Sequence, residues 1–220
     1  MIPIVINNRN RLTTTRKLVS QLKERGYDNI VILDNDSTYT SLLEWYKECG
    51  VRVKYLGKNL GQLAIYNGEV INEFKQGSWV AYTDSDILLG DNCPSNFIEV
   101  MIEKAAKYSI NKVGLAIKID DLPNTEYANW VRSWESKYWE KKLEEDVYVA
   151  DVDTTFSIVK VGLPFQYNAL RLGGLYTCRH IPWELDYDNL DEEEKFIIKN
   201  SDPEFSTTRR FVNTNHKSIT

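Results

Sequence analysis

Ser78-Trp79-Val80-Ala81-Tyr82-Thr83-Asp84-Ser85-Asp86-Ile87 is the stretch on which the reading of this chain turns. An apolar run leads into two acids one residue apart. A strand over 79–82 buries its apolar side chains and delivers Asp84 and Asp86 to the carboxyl edge of a sheet, the edge at which open α/β sheets bind ligands. Hard divalent cations take oxygen ligands, and magnesium-type ions are usually held by one or two carboxylates plus substrate phosphates. An acidic pair at that edge therefore points to a metal–diphosphate site.

Working outward, the first half of the chain alternates. Apolar β-type runs lie at 3–6, 30–33, 51–56, 79–82 and 113–119, with helical spacing between them. Thr13-Thr14-Thr15 offers cap candidates to a helix whose Leu18, Val19 and Leu22 share a face and which Gly26 stops. A second helix is expected over 41–49, ending at Gly50. A third is expected over 64–74, with Ile65, Val70, Ile71 and Phe74 as its apolar members. This alternation with short connections implies an α/β fold: a mostly parallel central sheet flanked by helices.

The second half changes character. Tyr127, Trp130, Trp134, Tyr138 and Trp139 fall near helical spacing. Such a stripe packs into a core or, alternatively, presents an aromatic platform to a sugar-like acceptor. Over 148–158 strict alternation predicts one strand, with Asp151, Asp153, Thr155 and Ser157 opposite Ala150, Val152, Phe156 and Ile158. Its acidic face either meets water or turns toward the Asp84–Asp86 edge. A helix over 191–199 opens on an acidic first turn, as helix N-termini prefer. From 201 the composition turns polar, and a loosely held tail is expected. No repeat or linker interrupts the 220 residues, so a single domain is expected over 1–220.

Composition narrows the function classes. The net charge of −5 gives no global basic field for nucleic acid or an anionic membrane. No run approaches the roughly 20 apolar residues of a membrane span, so no transmembrane segment is expected. The stretch 1–6 is too short and too uncharged for a signal peptide and reads as a strand. Cys49, Cys93 and Cys178 are odd in number and lack metal-ligand spacing, which fits a reducing, cytoplasmic setting.

Three loops at the carboxyl ends of the inferred strands carry polar groups: Asn7-Asn8-Arg9-Asn10-Arg11, Asp34-Asn35-Asp36-Ser37-Thr38 and Asp84-Ser85-Asp86. Lys58-Asn59-Leu60-Gly61-Gln62 leads into the third helix, where a glycine admits close backbone approach and a helix N-terminus favours negative charge. In order and spacing, these segments with Asn67 resemble the nucleotide-sugar-binding half of the GT-A glycosyltransferases, close to family 2, over residues 1–90. Where that family often carries two adjacent acids, this chain has Asp34-Asn35. The second half, with Val152-Asp153-Thr154-Thr155-Phe156 and Arg179-His180-Ile181-Pro182-Trp183, is similar to a bacterial and viral subset.

The resemblance implies a Rossmann-like GT-A fold with a nucleotide-sugar-binding half over 1–90, an acceptor-binding half over 91–200 and the tail over 201–220. It implies a nucleoside-diphosphate sugar donor, more often UDP-linked, a saccharide or other hydroxyl acceptor, and Mn²⁺ or Mg²⁺ on the donor's diphosphate. Asp86 is then the direct metal ligand, and Asp84 contacts the ribose or reaches the metal through water. Asn7, Arg9 and Arg11 flank the nucleotide, Asp34 and Asn35 lie near the base or ribose, and Asn59, Asn67 and Ser85 complete the donor site. His180 is an additional metal ligand or, on the plainer reading, structural. An inverting transfer needs a general base, for which Asp153 is the first candidate and Asp151 the second. Trp183 and Asp186 line the acceptor pocket.

Two rivals have sequence support. Ile30-Val31-Ile32-Leu33-Asp34-Asn35-Asp36-Ser37-Thr38 fits the pattern of haloacid-dehalogenase-like phosphatases, with Asp34 as nucleophile, Asp36 as acid/base and Mg²⁺ as cofactor. That pattern usually sits on a first strand, and it leaves Asp84-Ser85-Asp86 without a role. A catalytically silent sugar-nucleotide-binding domain is the second, although its natural mark, loss of the acidic pair, is missing. A nucleotidyltransferase is expected to carry a glycine-rich phosphate loop near its N-terminus, and none is found.

Overall fold

The runs at 4–6 and 30–33 are apolar on every residue, as parallel strands covered on both faces must be. The computed structural model describes residues 2–202, so the tail beyond 202, with His216, lies outside the described residues. Strands β1 (Ile4–Asn8), β2 (Ile30–Asp34), β3 (Arg52–Tyr55) and β4 (Trp79–Asp84) lie side by side in the order β3-β2-β1-β4, all parallel. Ile4, Ile6, Ile30 and Ile32 pack with Leu18 and Leu22 of α1 (Thr13–Glu24) and Leu42 of α2 (Thr40–Tyr46). Val5, Val31 and Leu33 point the other way, onto Ile65, Val70 and Ile71.

The expected helix over 64–74 is broken. It forms α3 (Ala64–Asn67) and a separate 3-10 turn (Val70–Glu73), because Glu69 between them adopts a left-handed φ of 56°. The cap expectation at α1 also changes. Thr13, Thr14 and Thr15 lie inside the helix, and its first amides are satisfied from far along the chain: the Glu193 carboxylate accepts from Leu12 N (2.9 Å), Thr13 N (3.0 Å) and Thr13 Oγ1 (2.7 Å).

The second half adds β5 (Ile87–Leu89), α4 (Phe97–Lys107), β6 (Lys112–Ile117), α5 (Glu126–Glu135), β7 (Lys142–Glu144), β8 (Val147–Asp151), β9 (Ser157–Lys160), β10 (Asn168–His180) and α6 (Glu192–Asn200). The sheet continues from β4 as β9-β6-β10-β8-β7, with β5 on the far part of β10. Here only β6 and β10 are parallel, so the whole is a mixed sheet in one α/β domain. The strand expected over 148–158 is two strands. β8 pairs with β10, whereas β9 lies between β4 and β6.

Lys112 accounts for that break. Its buried ammonium donates to the carbonyls of Val152 (2.6 Å), Asp153 (2.7 Å) and Gln166 (3.0 Å), holding the chain between the strands out of any ladder. Such carbonyls need partners once buried. β10 bulges between Leu172 and Thr177. A Cβ at Gly173 would sit 3.0 Å from both Trp139 and Tyr148, so a side chain there would push back the rings that close over the bulge.

Candidate functional site

Parallel register brings the polar loops together. Asn7 lies beside both Leu33 and Asp84, and Asn8 beside Asp34, so the ends of β1, β2 and β4 open onto one edge. Each backbone amide around the acidic pair is tied to a different element. Asp84 N donates to Thr154 O (3.1 Å), Ser85 N to Asn7 O (3.0 Å), and Asp86 O accepts from Ile181 N (3.0 Å). The pair is thus clamped between β1, the β8–β9 connection and the end of β10.

The two acids differ in environment. Asp84 accepts from Asn7 Nδ2 at 3.3 Å and from the Thr154 hydroxyl. Burial, then the charges of Asp86 and Asp153, push its carboxyl well above the usual range, while those two hydrogen bonds pull it down. Asp86 Oδ1 is buried and, among the described residues, has no hydrogen-bond partner, and the same holds for Asn7 Oδ1. Carboxylates crowded in this way favour a bound cation. Among the described residues no three His, Cys, Asp or Glu side chains form a closed metal cage. The donor set instead fits an ion held by two carboxylates and completed by a ligand's phosphates. His180 stands against Asp86, with Nε2 3.7 Å from Asp86 Oδ2, and its ring lies 4.6 Å from that of Trp183.

A cleft of about 670 Å³ spreads from this floor. Of the residues expected from sequence, Asn7, Arg9, Arg11, Asn35, Asn59, Asp84, Ser85, Asp86, Asp151, Asp153 and His180 line it, as does Trp183. Asp34, Asn67 and Asp186 do not. Asp34 is buried beneath the loop, where it accepts from Tyr46 OH (3.2 Å) and Ser37 N (3.2 Å), and Asn67 turns back to Leu60 O (2.9 Å). A carboxylate enclosed in this way lacks an approach for phosphate, and Asp36 is exposed at a left-handed φ of 69°, so the phosphatase pair is not assembled.

The loop through Gly61 differs from expectation as well. α3 has four residues, and the amides ahead of it are engaged: Leu60 N on Asn35 Oδ1 (2.7 Å) and Gly61 N on Asn59 Oδ1 (3.0 Å). Gly61, at φ 71°, turns its carbonyl to Asn35 Nδ2 (3.0 Å) and Asn7 Nδ2 (3.3 Å). Asparagine side chains therefore bind the three edge loops to one another. Asn10 does the same, accepting from Thr38 N (2.6 Å) and Tyr39 N (3.0 Å).

The loop arginines are held by α6. Arg9 Nη1 donates to Asn200 O (2.6 Å), and buried Arg11 pairs with Glu194. Burial opposes the charge of Arg11, but Glu194 and Asp86 outweigh it and hold the guanidinium above its ordinary value. Sequence reasoning read the acids at 192–194 as a helix N-terminus, which they are; nothing local signalled that Glu193 and Glu194 also reach the β1–α1 loop.

On the wall that rises beside Thr154, Asp151 and Asp153 are exposed to the cleft. Asp153 Oδ1 accepts from Thr155 N (3.1 Å) and Thr155 Oγ1 (2.8 Å), which fixes the turn. Behind them lies a pair that sequence reasoning missed. Buried Glu135 pairs with buried Arg171, whose Nε donates to Asp151 O at 2.7 Å. Burial, only partly offset by Arg171, pushes Glu135 up to about 7.

The α/β fold is similar to that of a sugar transferase of known structure, as the sequence resemblance implied. A mannosyltransferase from Pyrobaculum calidifontis, solved with GDP-Man and Mn²⁺, superposes over 90% of this chain with a TM-score of 0.54 and 13% identity. The chain spans 60% of the length of that enzyme. Looser likenesses are a UDP-glucose pyrophosphorylase bound to UDP-glucose (TM-score 0.42, 15% identity, 73% of this chain and 76% of that one) and one from Acinetobacter baumanii (0.41, 11%, 97% and 82%). No family model matches the sequence, and no curated protein matches it. Among the described residues no helix is long and apolar enough to cross a membrane.

Proposed function

We propose that this chain is a metal-dependent glycosyltransferase that moves a sugar from a nucleoside-diphosphate donor, UDP-linked in the first instance, to an acceptor hydroxyl. The observation that carries the reading is the buried Asp86 Oδ1, unpartnered among the described residues, beside Asp84 at the floor of a cleft whose wall bears Asp151 and Asp153. Diphosphate chemistry at the floor and proton acceptance at the wall are the two requirements of an inverting transfer.

Asp86 and Asp84 are the residues that would hold Mn²⁺ or Mg²⁺, with His180 beside Asp86 as the further candidate. Such an ion, when bound, neutralises charge on a departing nucleoside diphosphate. Arg11, held by Glu194, adds positive charge to the same floor. Asn7, Asn35, Asn59 and Ser85 border the space assigned to the nucleotide. Asp153 takes the proton of the acceptor hydroxyl, with Asp151 as the alternative. The reading places the chain's work in a cytoplasmic setting and needs no nucleic acid.

A thermal-shift series with nucleoside diphosphates and nucleotide sugars, with and without Mn²⁺, tests it directly. Stabilisation by a nucleotide sugar that requires the cation is the expected result. Stabilisation of equal size without the cation, or in Asp86→Ala, counts against the assignment.

A further inference from the structure

The aromatic stripe of α5 does two things at once. Tyr127, Ala128 and Val131 enter the core, as the plainer expectation had it. Trp130 and Trp134, however, remain 49% and 40% exposed and line the cleft. Large apolar side chains left in water at the wall of a cleft mark a surface meant to be covered.

Their arrangement is ordered. From His180 at the acidic floor, ring centroids step 4.6 Å to Trp183, 6.2 Å to Trp134 and 6.2 Å to Trp130. Trp130 and Trp134 are parallel to within 4°, and Tyr127 continues behind Trp130 at 5.9 Å and 15°. The spacing follows from the sequence, since residues four apart on a helix stand one above the other, about 6 Å along its axis. From Trp183 through Trp134 to Trp130 the row therefore leads away from the acidic floor with rising exposure, and it is backed by buried Tyr127. The exposed carboxylates of Asp151 and Asp153 line the same cleft.

We infer that this row is an extended acceptor subsite for a saccharide chain of several rings, rather than for a single sugar or a lipid. Aromatic faces carry negative charge density, which suits the polarised C–H face of a pyranose. The exposed carboxylates of Asp151 and Asp153 suit its hydroxyls as hydrogen-bond acceptors. A hydrocarbon chain would satisfy the indoles but would desolvate those charges without partners, at considerable cost. The acceptor role rests on the glycosyltransferase reading; saccharide binding along the row does not.

The test begins with binding alone, without donor, followed by tryptophan fluorescence and calorimetry. The probes are glucan, mannan and chitin oligosaccharides from mono- to hexasaccharide, together with vesicles containing a polyprenyl phosphate. The expected result is that at least one series binds with affinity rising as rings are added. Trp130→Ala should weaken the hexasaccharide about tenfold and flatten the length dependence, and Trp130→Tyr should restore most of it. Circular dichroism verifies that both variants fold. No binding by any hexasaccharide, a length dependence unaltered in Trp130→Ala, or vesicle binding lost in Trp130→Ala overturns the inference. Length-dependent binding with no transfer from any nucleotide sugar upholds the subsite and defeats the proposed function. Transfer with the same KM for mono- and hexasaccharide does the reverse.

Discussion

The two halves of the molecule reach the cleft by different routes. In the first half β1, β2 and β3 are each followed by a loop and a helix, and parallel register with β4 sets the strand-end loops at one edge. In the second half the wall comes from strands that meet only after long detours: β9 inserts between β4 and β6, and β8 pairs back onto β10. The first arrangement makes a rigid floor from local rules. The second makes a wall whose chemistry depends on contacts distant in sequence, such as Lys112 on Asp153 and Arg171 on Asp151.

If the floor and the wall divide binding from proton transfer, variants on the two sides should fail differently. The largest effect is expected at the floor. Asp86→Ala should abolish cation-dependent donor stabilisation and cut transfer about a thousandfold, with an unchanged circular dichroism spectrum. Retained transfer would break the division at its root. On the wall, Asp153→Asn should cut kcat about a hundredfold while leaving donor affinity within about twofold. Its side-chain oxygen can still accept from Thr155 N and Oγ1, so the turn survives the loss of the base. A parallel loss of donor affinity would move Asp153 to the floor's function.

Smaller effects sharpen the comparison through stability. Lys112→Met leaves three carbonyls of the wall without their donor and should cost about 3 kcal/mol in urea unfolding. Burial, the larger cause, drives the Lys112 ammonium down from 10.5 to about 8, against the pull of Asp153. In the pH window between those values the unfolded chain holds the proton and the folded one does not. Stability of the native protein should therefore rise with pH across that window, and the rise should vanish in Lys112→Met. The smallest effect is at the seam between the halves. Glu193→Ala removes the carboxylate that accepts from Leu12 N and Thr13 N at the start of α1, and should cost about 1 kcal/mol. A larger loss, with weakened nucleotide binding, would show that α6 also sets the position of Arg11.

Much of the floor was legible because its signals are local. An apolar run that ends in Asp84-Ser85-Asp86 is a strand followed by an edge loop, and the loops at 7–11 and 34–38 obey the same rule. The wall was not legible in the same way. Alternation over 148–158 pointed to one strand, yet the ammonium of Lys112, some forty residues earlier, holds the connection apart. The threonines at 13–15 have the right chemistry for a cap, but Glu193 occupies that position from the other end of the described chain. The third helix fails where Glu69 turns left-handed, which no apolar spacing reports.

The order of residues by itself determined the α/β class, the parallel edge with its clustered loops and the acidic pair placed there, since periodicity and strand-end chemistry act over a few neighbours. Only the tertiary structure decided that Asp34 is enclosed while Asp86 keeps an oxygen without a partner among the described residues, that Glu135 and Arg171 are paired behind the wall, and that Trp130 and Trp134 face the cleft instead of the core. Burial and long-range pairing set these outcomes, and both depend on which distant segments fill the space around a side chain.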